Sequence, residues 1–300
     1  MEENQPMTNE QLESKLKSLR VKATITKLLT YCAAVVMIIM WFFKENLVMG
    51  LVFLVIALVF GYLSSKNSST LKKLLSDNVI SSVLKEALGD TVEYNPWGRV
   101  EPGYMVFPFS YNKALGSDHI KANYKGLNIE LSDIELINEE DYTDEEGNTQ
   151  HSSTTCFKGQ WLICDFGKEL SGEVRLSAND KKLLKQHKND SVEPENETFN
   201  NRFLVTAQNA QEAFYILTPH MMEYILTMAD KSGGDVYMSF LRDGKMQVAV
   251  KTGRDFFELG KSNADPEELR RKFLGELSWF TDIVDTLRVE DTLYKKETNI

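Results

Sequence analysis

Two long apolar runs dominate the first quarter of the chain. Leu28–Phe43 is sixteen residues without a charge and Leu47–Ser65 is nineteen. A helix half-buried in a soluble core carries a polar stripe every 3.6 residues, and neither run has one. Extended back to Ala23, the first run holds twenty-one residues with only Lys27 inside. At about 1.5 Å per residue the two helices measure about 31 and 28 Å, which matches a hydrocarbon core about 30 Å thick. The pattern predicts a transmembrane helical hairpin over 21–65, with spans at 23–43 and 47–65 turning on Lys44-Glu45-Asn46, after a tail of residues 1–20. A hairpin buried in a soluble core is the competing reading. A cleaved signal peptide fits worse, because no small-x-small site follows the first run and a second run comes directly after it.

Beyond the runs, Ser65–Thr70 reads as a polar break that caps a new helix. Leu71, Leu74, Leu75, Val79 and Leu84 then recur at helical spacing up to Gly89, predicting a membrane-proximal stalk helix over 66–90. The Pro- and Gly-rich stretch 94–104 reads as loop, with Trp97 a packing residue. From His119 to Val174 the pattern is extended: Leu127, Ile129 and Leu131 alternate beside Gly126, as in a half-buried strand. Residues 139–146 place six acids in eight positions. They lack the spacing of a calcium loop and read as a solvated connection. Over 201–234 the order is strand, turn, helix, with Asn209 and Glu212 at capping-box spacing, a break at Pro219 and a stop at Gly233-Gly234. "VYMSFLRDGKMQVAV" predicts a hairpin on Asp243-Gly244, pairing Leu241 with Met246, Ser239 with Val248 and Tyr237 with Val250. Asp265-Pro266 opens a long helix with Leu269, Phe273, Leu277, Phe280, Val284 and Leu287 on one side, expected to pack on the domain's own sheet, with a partner-binding helix as the alternative. These elements predict an α+β protein. A two-helix transmembrane hairpin precedes a soluble domain, 91–300, with a mainly antiparallel sheet and several helices.

Charge refines this picture. After residue 65 the chain carries 28 Lys and Arg against 39 Asp and Glu, which argues against a nucleic-acid footprint. Lys15, Lys17, Arg20, Lys22 and Lys27 precede the first run, and Lys66, Lys72 and Lys73 follow the second. The positive-inside rule then predicts a multi-pass protein of the inner (plasma) membrane with both termini cytoplasmic. Ala57 and Gly61 form a small-xxx-small pair suited to close packing of the spans. Cys156 and Cys164, about 26 Å apart in extended chain, make no disulfide unless the chain folds back at Gly159.

Phe157-Lys158-Gly159, Asp165-Phe166, Gly172, Val174, Phe199-Asn200, Phe203, "EAFYILTPHMME" at 212–223, Ser239-Phe240 and Phe257-Glu258 carry a resemblance. Across about residues 90–290 the chain resembles the bacterial domain of unknown function 3137 family, with Ile216-Leu217-Thr218-Pro219 the most specific stretch. The two amino-terminal spans match that family's layout. Where this chain has Phe214, family members often have Arg. The resemblance implies no activity or ligand, and it implies LemA-type membrane proteins as a possible kind of partner.

Chemistry is sparse. There is no Walker A loop, nucleophile elbow, H-E-x-x-H or C-x-x-C, and the four histidines are scattered. No cofactor or metal is expected. His220 and Glu223 lie three apart on a predicted helix, and a metal set would need at least one or two more ligands from elsewhere. Asp165 ends a predicted strand. Asp165, Glu212, His220 and Glu223 are therefore the candidate site residues of an enzyme reading, which requires them to converge in one pocket. Phe199, Phe203, Phe214, Tyr215, Trp279 and Phe280 read as core. The leading expectation is a non-enzymatic module that presents a protein-interaction domain at the membrane, with the lipid bilayer and a membrane-associated protein as its partners.

Overall fold

The structure, a computed structural model, describes residues 9–42, 47–143, 149–165, 170–258 and 266–294. It divides into two compact units, Met1–Val83 with Leu259–Phe273, and Leu84–Glu258 with Leu274–Ile300.

In the first unit α1 (Asn9–Phe42) and α2 (Leu47–Leu75) pack side by side. Their segments Ser14–Ile39 and Val48–Leu71 are long and apolar enough to cross a membrane, with mean hydropathies of 1.6 and 2.3. Only 6 % of each apolar window is buried, so Leu28, Val55 and Leu58 face outward. Gly61 lies at the helix contact, where an added Cβ would meet the Thr30 methyl at 3.9 Å, an ordinary separation. The Lys44-Glu45-Asn46 corner lies outside the described residues. The polar stretch Ser65–Thr70 does not start a new helix. Ser69 Oγ and Thr70 Oγ1 donate to the Lys66 carbonyl at 3.0 and 2.9 Å, so hydroxyls read as caps are satisfied within the continuing turn of α2. A π-helical turn at Ser76–Ile80 and α3 (Ser81–Leu88) follow, and Gly89, at φ 93°, ends the element.

The second unit is built on nine antiparallel strands in the order β1-β2-β3-β4-β9-β8-β5-β7-β6. These are β1 (Glu93–Asn95), β2 (Lys113–Tyr124), β3 (Leu127–Thr143), β4 (Thr149–Asp165), β5 (Val174–Ala178), β6 (Ser191–Val192), β7 (Phe203–Ala207), β8 (Asp235–Phe240) and β9 (Lys245–Lys251). Between them lie α4 (Lys181–Gln186), α5 (Glu197–Arg202), α6 (Ala210–Ile216) and α7 (Pro219–Ser232), and α8 (Pro266–Tyr294) closes the order. Lys125 and Gly126, at φ 50° and 91°, make the tight β2–β3 turn. β4 runs straight through Gly159, leaving Cys156 and Cys164 free and extended. The glycine instead permits close approach: a Cβ there would lie 1.9 Å from the Val250 carbonyl oxygen.

The β8–β9 hairpin forms in a different register. Phe240 pairs with Met246 and Ser239 with Gln247, because Leu241 N–H donates to Lys245 O and only Gly244 takes a positive φ, 77°. The longer loop slips the pairing by one residue and moves every partner to the other face. The α6–α7 break comes where Pro219 requires it, with Thr218 Oγ1 capping Met221 N–H. Asn209 caps Gln211 N–H, while Glu212 accepts from Ser171 instead of completing a capping box.

On one face of the sheet, Ile134, Leu136, Phe157, Trp161, Tyr237 and Ala249 are covered by the segment 100–111, which contributes Met105, Phe107 and Phe109. Phe107 stacks on Phe109 at 4.8 Å and meets the Tyr237 ring edge-on at 4.7 Å. Trp161 Nε1 and Gly103 N–H both donate to Gln247 Oε1, at 3.1 and 3.2 Å. Part of the stretch read as loop is thus core-forming. α5 and α6 pack on β7, and α7 packs on β8. In α8, Leu269, Phe273, Leu277, Phe280, Ile283 and Val284 are buried, as the stripe predicts, and the Leu287 side chain lies outside the described residues. Phe199 and Phe203 are buried too. Three aromatics expected in the core lie largely at the surface: Trp97, Phe214 and Tyr215 are 69 %, 51 % and 50 % exposed. The second and third share the outward side of a helix only seven residues long.

Candidate functional site

The most unusual chemistry in the described residues sits at a bulge between β2 and β3, where the register shifts between Ser117 and Ile120. The extra residue is Asp118, held at φ 58°, a left-handed conformation that Asp tolerates better than most residues. The bulge buries its carboxylate, which accepts from the Tyr94 hydroxyl of β1 and from Ser117 Oγ at 2.7 Å. Nearby on β3, Asp133 is 2 % exposed. Its Oδ1 accepts from Gln160 Nε2 at 3.1 Å and its Oδ2 from Phe256 N–H at 2.6 Å. Gln160 in turn donates to Arg254 O at 2.7 Å and accepts from Thr252 Oγ1 at 2.8 Å. The Asp133 network therefore ties β3 and β4 to the 252–256 turn, beside the Tyr94–Asp118 contact of β1 with the bulge, and the next residue, Phe257, donates its N–H to Glu276 of α8 at 3.1 Å.

Burial pushes the Asp133 carboxyl up to about 8. The donors Gln160 and Phe256 N–H oppose that rise, and the charges of Asp118 and Asp255 add to it. Burial also raises the Tyr94 phenol, with Asp118 adding to the effect. At neutral pH Asp133 thus holds a proton beside an acidic neighbour. Two carboxyls in unlike environments are the usual raw material of acid–base chemistry. Here both are sealed from solvent, and what the arrangement performs is clamping.

The four residues singled out by sequence lie elsewhere. Asp165, at the end of β4, accepts from Asn128 Nδ2 at 2.8 Å. Glu212 accepts from Ser171 Oγ at 2.5 Å, just before β5. Three strand spacings separate β4 from β5 in the sheet order, about 14 Å. His220 and Glu223 are exposed on the first turns of α7. An open hollow of ≈ 520 Å³ beside β6, lined by Asn179, Ser191, Glu193, Glu195 and Phe203 among others, includes none of the four. No group of three or more His, Cys, Asp or Glu able to hold a metal ion is found among the described residues. The Asp133 clamp did leave one sequence signal. Leu127, Ile129, Leu131 and Asp133 share one parity on β3, so an acid occupies an inward position.

Two apolar helices followed by an α+β domain on an antiparallel sheet define the class to which this protein belongs. Residues 155–289 match the model of the family described as protein of unknown function (DUF3137). No curated protein and no solved structure matches the chain.

Proposed function

We propose that this is an integral membrane protein whose two amino-terminal helices span a bilayer and hold the α+β domain on the cytoplasmic side as a non-enzymatic protein-interaction module. One observation carries the reading: two adjacent helices, each with an apolar window only 6 % buried, leave their large side chains facing outward. In water such a surface far exceeds the apolar patch a soluble monomer tolerates, whereas lipid covers it without cost. Basic residues flank both apolar runs on the sides away from the connection, which supports cytoplasmic termini. The buried carboxyls and the separation of Asp165 from the Glu212–Ser171 pair support a binding role over catalysis. Fractionation tests the proposal. The full-length chain should pellet with membranes, resist carbonate extraction and require detergent for release. Protease added outside intact cells should leave the domain whole, and digestion of the domain there would overturn the orientation.

A further inference from the structure

β3 and β4 are seventeen residues each, longer than any neighbour. β2 ends its pairing with β3 at Ile137, and β9 pairs with β4 only from Gln160 to Asp165. Beyond those limits the six pairs from Asn138–Thr154 to Thr143–Thr149 project as a two-stranded ribbon about 20 Å long. Its described side chains are polar and mostly exposed, so neither face buries a core, and a ribbon of that kind is marginal alone.

The two edges of the ribbon differ. On β3, the Asn112 side chain closes the edge: it donates to Glu139 O at 2.7 Å and accepts from Glu139 N–H at 3.0 Å. That geometry also fixes the backbone phase. Glu139 points its N–H and C=O away from β4, so 138, 140 and 142 point toward β4, and their partners 154, 152 and 150 point back. The outward groups on β4 are therefore those of Thr149, His151, Ser153 and Thr155. No strand pairs with them among the described residues. This edge also lacks the devices that blunt exposed edges, having no Pro and no Lys between Thr149 and Phe157.

Charge selects the occupant. From Asn138 to Thr155 the sequence has six Asp and Glu and no Lys or Arg. Two of the ribbon's acids are already engaged, Glu139 with Lys113 at 2.7 Å and Asp141 with His151 at 2.6 Å. Four acids remain, so the excess is still negative. A second copy would bring like charge to like charge, whereas a basic extended segment would gain main-chain hydrogen bonds and opposite charge together.

We propose that the outer edge of β4 at Thr149–Thr155 receives a lysine- or arginine-rich extended segment of a partner protein as an added β-strand. The proposal rests on the interaction-module reading and names its binding edge. It is tested on the full-length protein in detergent with a fluorescent nine-residue probe of alternating Lys and Thr. A control probe of the same charge carries central prolines. The expected results are at least tenfold tighter binding of the first probe and at least tenfold slower amide exchange at 149–155 when it is bound. Ser153→Pro removes an outward donor without touching the β3–β4 ladder. It should cost at least tenfold in affinity at unchanged melting temperature. His151→Pro is the second variant, should Ser153→Pro fail to fold. Equal binding of the proline probe, unprotected amides at 149–155, or no binding at all would each overturn the edge. Membrane fractionation is independent of this edge, so the anchoring part of the functional proposal can stand while the strand site falls.

Discussion

Replacing Asp133 with Asn removes the proton that the clamp holds and leaves the shape of the side chain. In the folded chain this carboxyl sits at about 8, against 3.8 for the free group. The sign follows from linkage. Between about pH 4 and pH 8 the folded state binds a proton that the unfolded chain has released, so stability falls as pH rises. The contribution is fully present below the unfolded value and is lost as pH rises through the folded one. The slope is about 1.4 kcal/mol per pH unit, or about 3 kcal/mol between pH 5.5 and pH 7.5. The amide of the Asp133→Asn variant does not titrate, so subtracting that variant's curve cancels the other groups. The measurement is urea unfolding of the detergent-solubilised chain from pH 5 to 9.5, followed by the fluorescence of buried Trp161. The stability advantage of the native residue over Asn should shrink by about 3 kcal/mol between pH 5.5 and pH 7.5 and level off above about pH 8.5. A difference constant within about 0.5 kcal/mol between pH 5.5 and 7.5 would refute the reasoning, because an ordinary carboxylate changes only below pH 5. The absolute cost of the Asn variant is a separate matter, since its amide NH2 faces either Gln160 Nε2 or Phe256 N–H, donor against donor.

Three further outcomes follow from the packing. Gly159→Ala pushes a methyl into the Val250 carbonyl and should cost about 3 kcal/mol, read as a lowered melting temperature, whereas Gly126→Ala, with nothing near its Cβ, should cost only its left-handed strain. Burial drives the Cys164 thiol up to about 12, so maleimide at pH 8 should label half-exposed Cys156 in the native chain and reach Cys164 only after denaturation. Tyr94→Phe strips Asp118 of its phenol donor. It should destabilise by about 2 kcal/mol and shift the midpoint of the Asp133 titration, a change a packing defect alone would not produce.

Local pattern reached far into this fold. The apolar runs, the strand alternation beside Gly126, the Pro219 break and the α8 stripe all depend on residues within a few positions of one another, and period and turn chemistry are legible at that range. The β8–β9 register was not, since Asp243-Gly244 suits either a two-residue turn or the longer loop found here. The choice rests on which face the neighbouring strands bury. Trp97, Phe214 and Tyr215 mislead for a related reason: aromatic residues at strand or helix spacing imply a core, but only the tertiary fold says which side of the element is inside.

The clamp shows why the site itself was harder to read. Its members lie at 94, 118, 133, 160 and 252–256, and only sheet order brings them together. Asp165 ends an apolar strand, and an acid at a strand end reaches water and a local partner such as Asn128. An acid in mid-strand at inward parity, as Asp133 is, has no such escape. It must lose its charge or find donors, and here it does both. Such a position is visible in the sequence as a break in alternation, and it marks buried polar chemistry more reliably than the histidines or paired carboxylates at helical spacing do. The break alone does not say whether the chemistry is catalysis or restraint. That distinction depends on solvent access, and with Asp118 and Asp133 both sealed the carboxyl pair restrains. Under the proposed interaction role, recognition falls to groups that reach water, and the β4 edge from Thr149 to Thr155, unpaired by any described strand, offers them in a row.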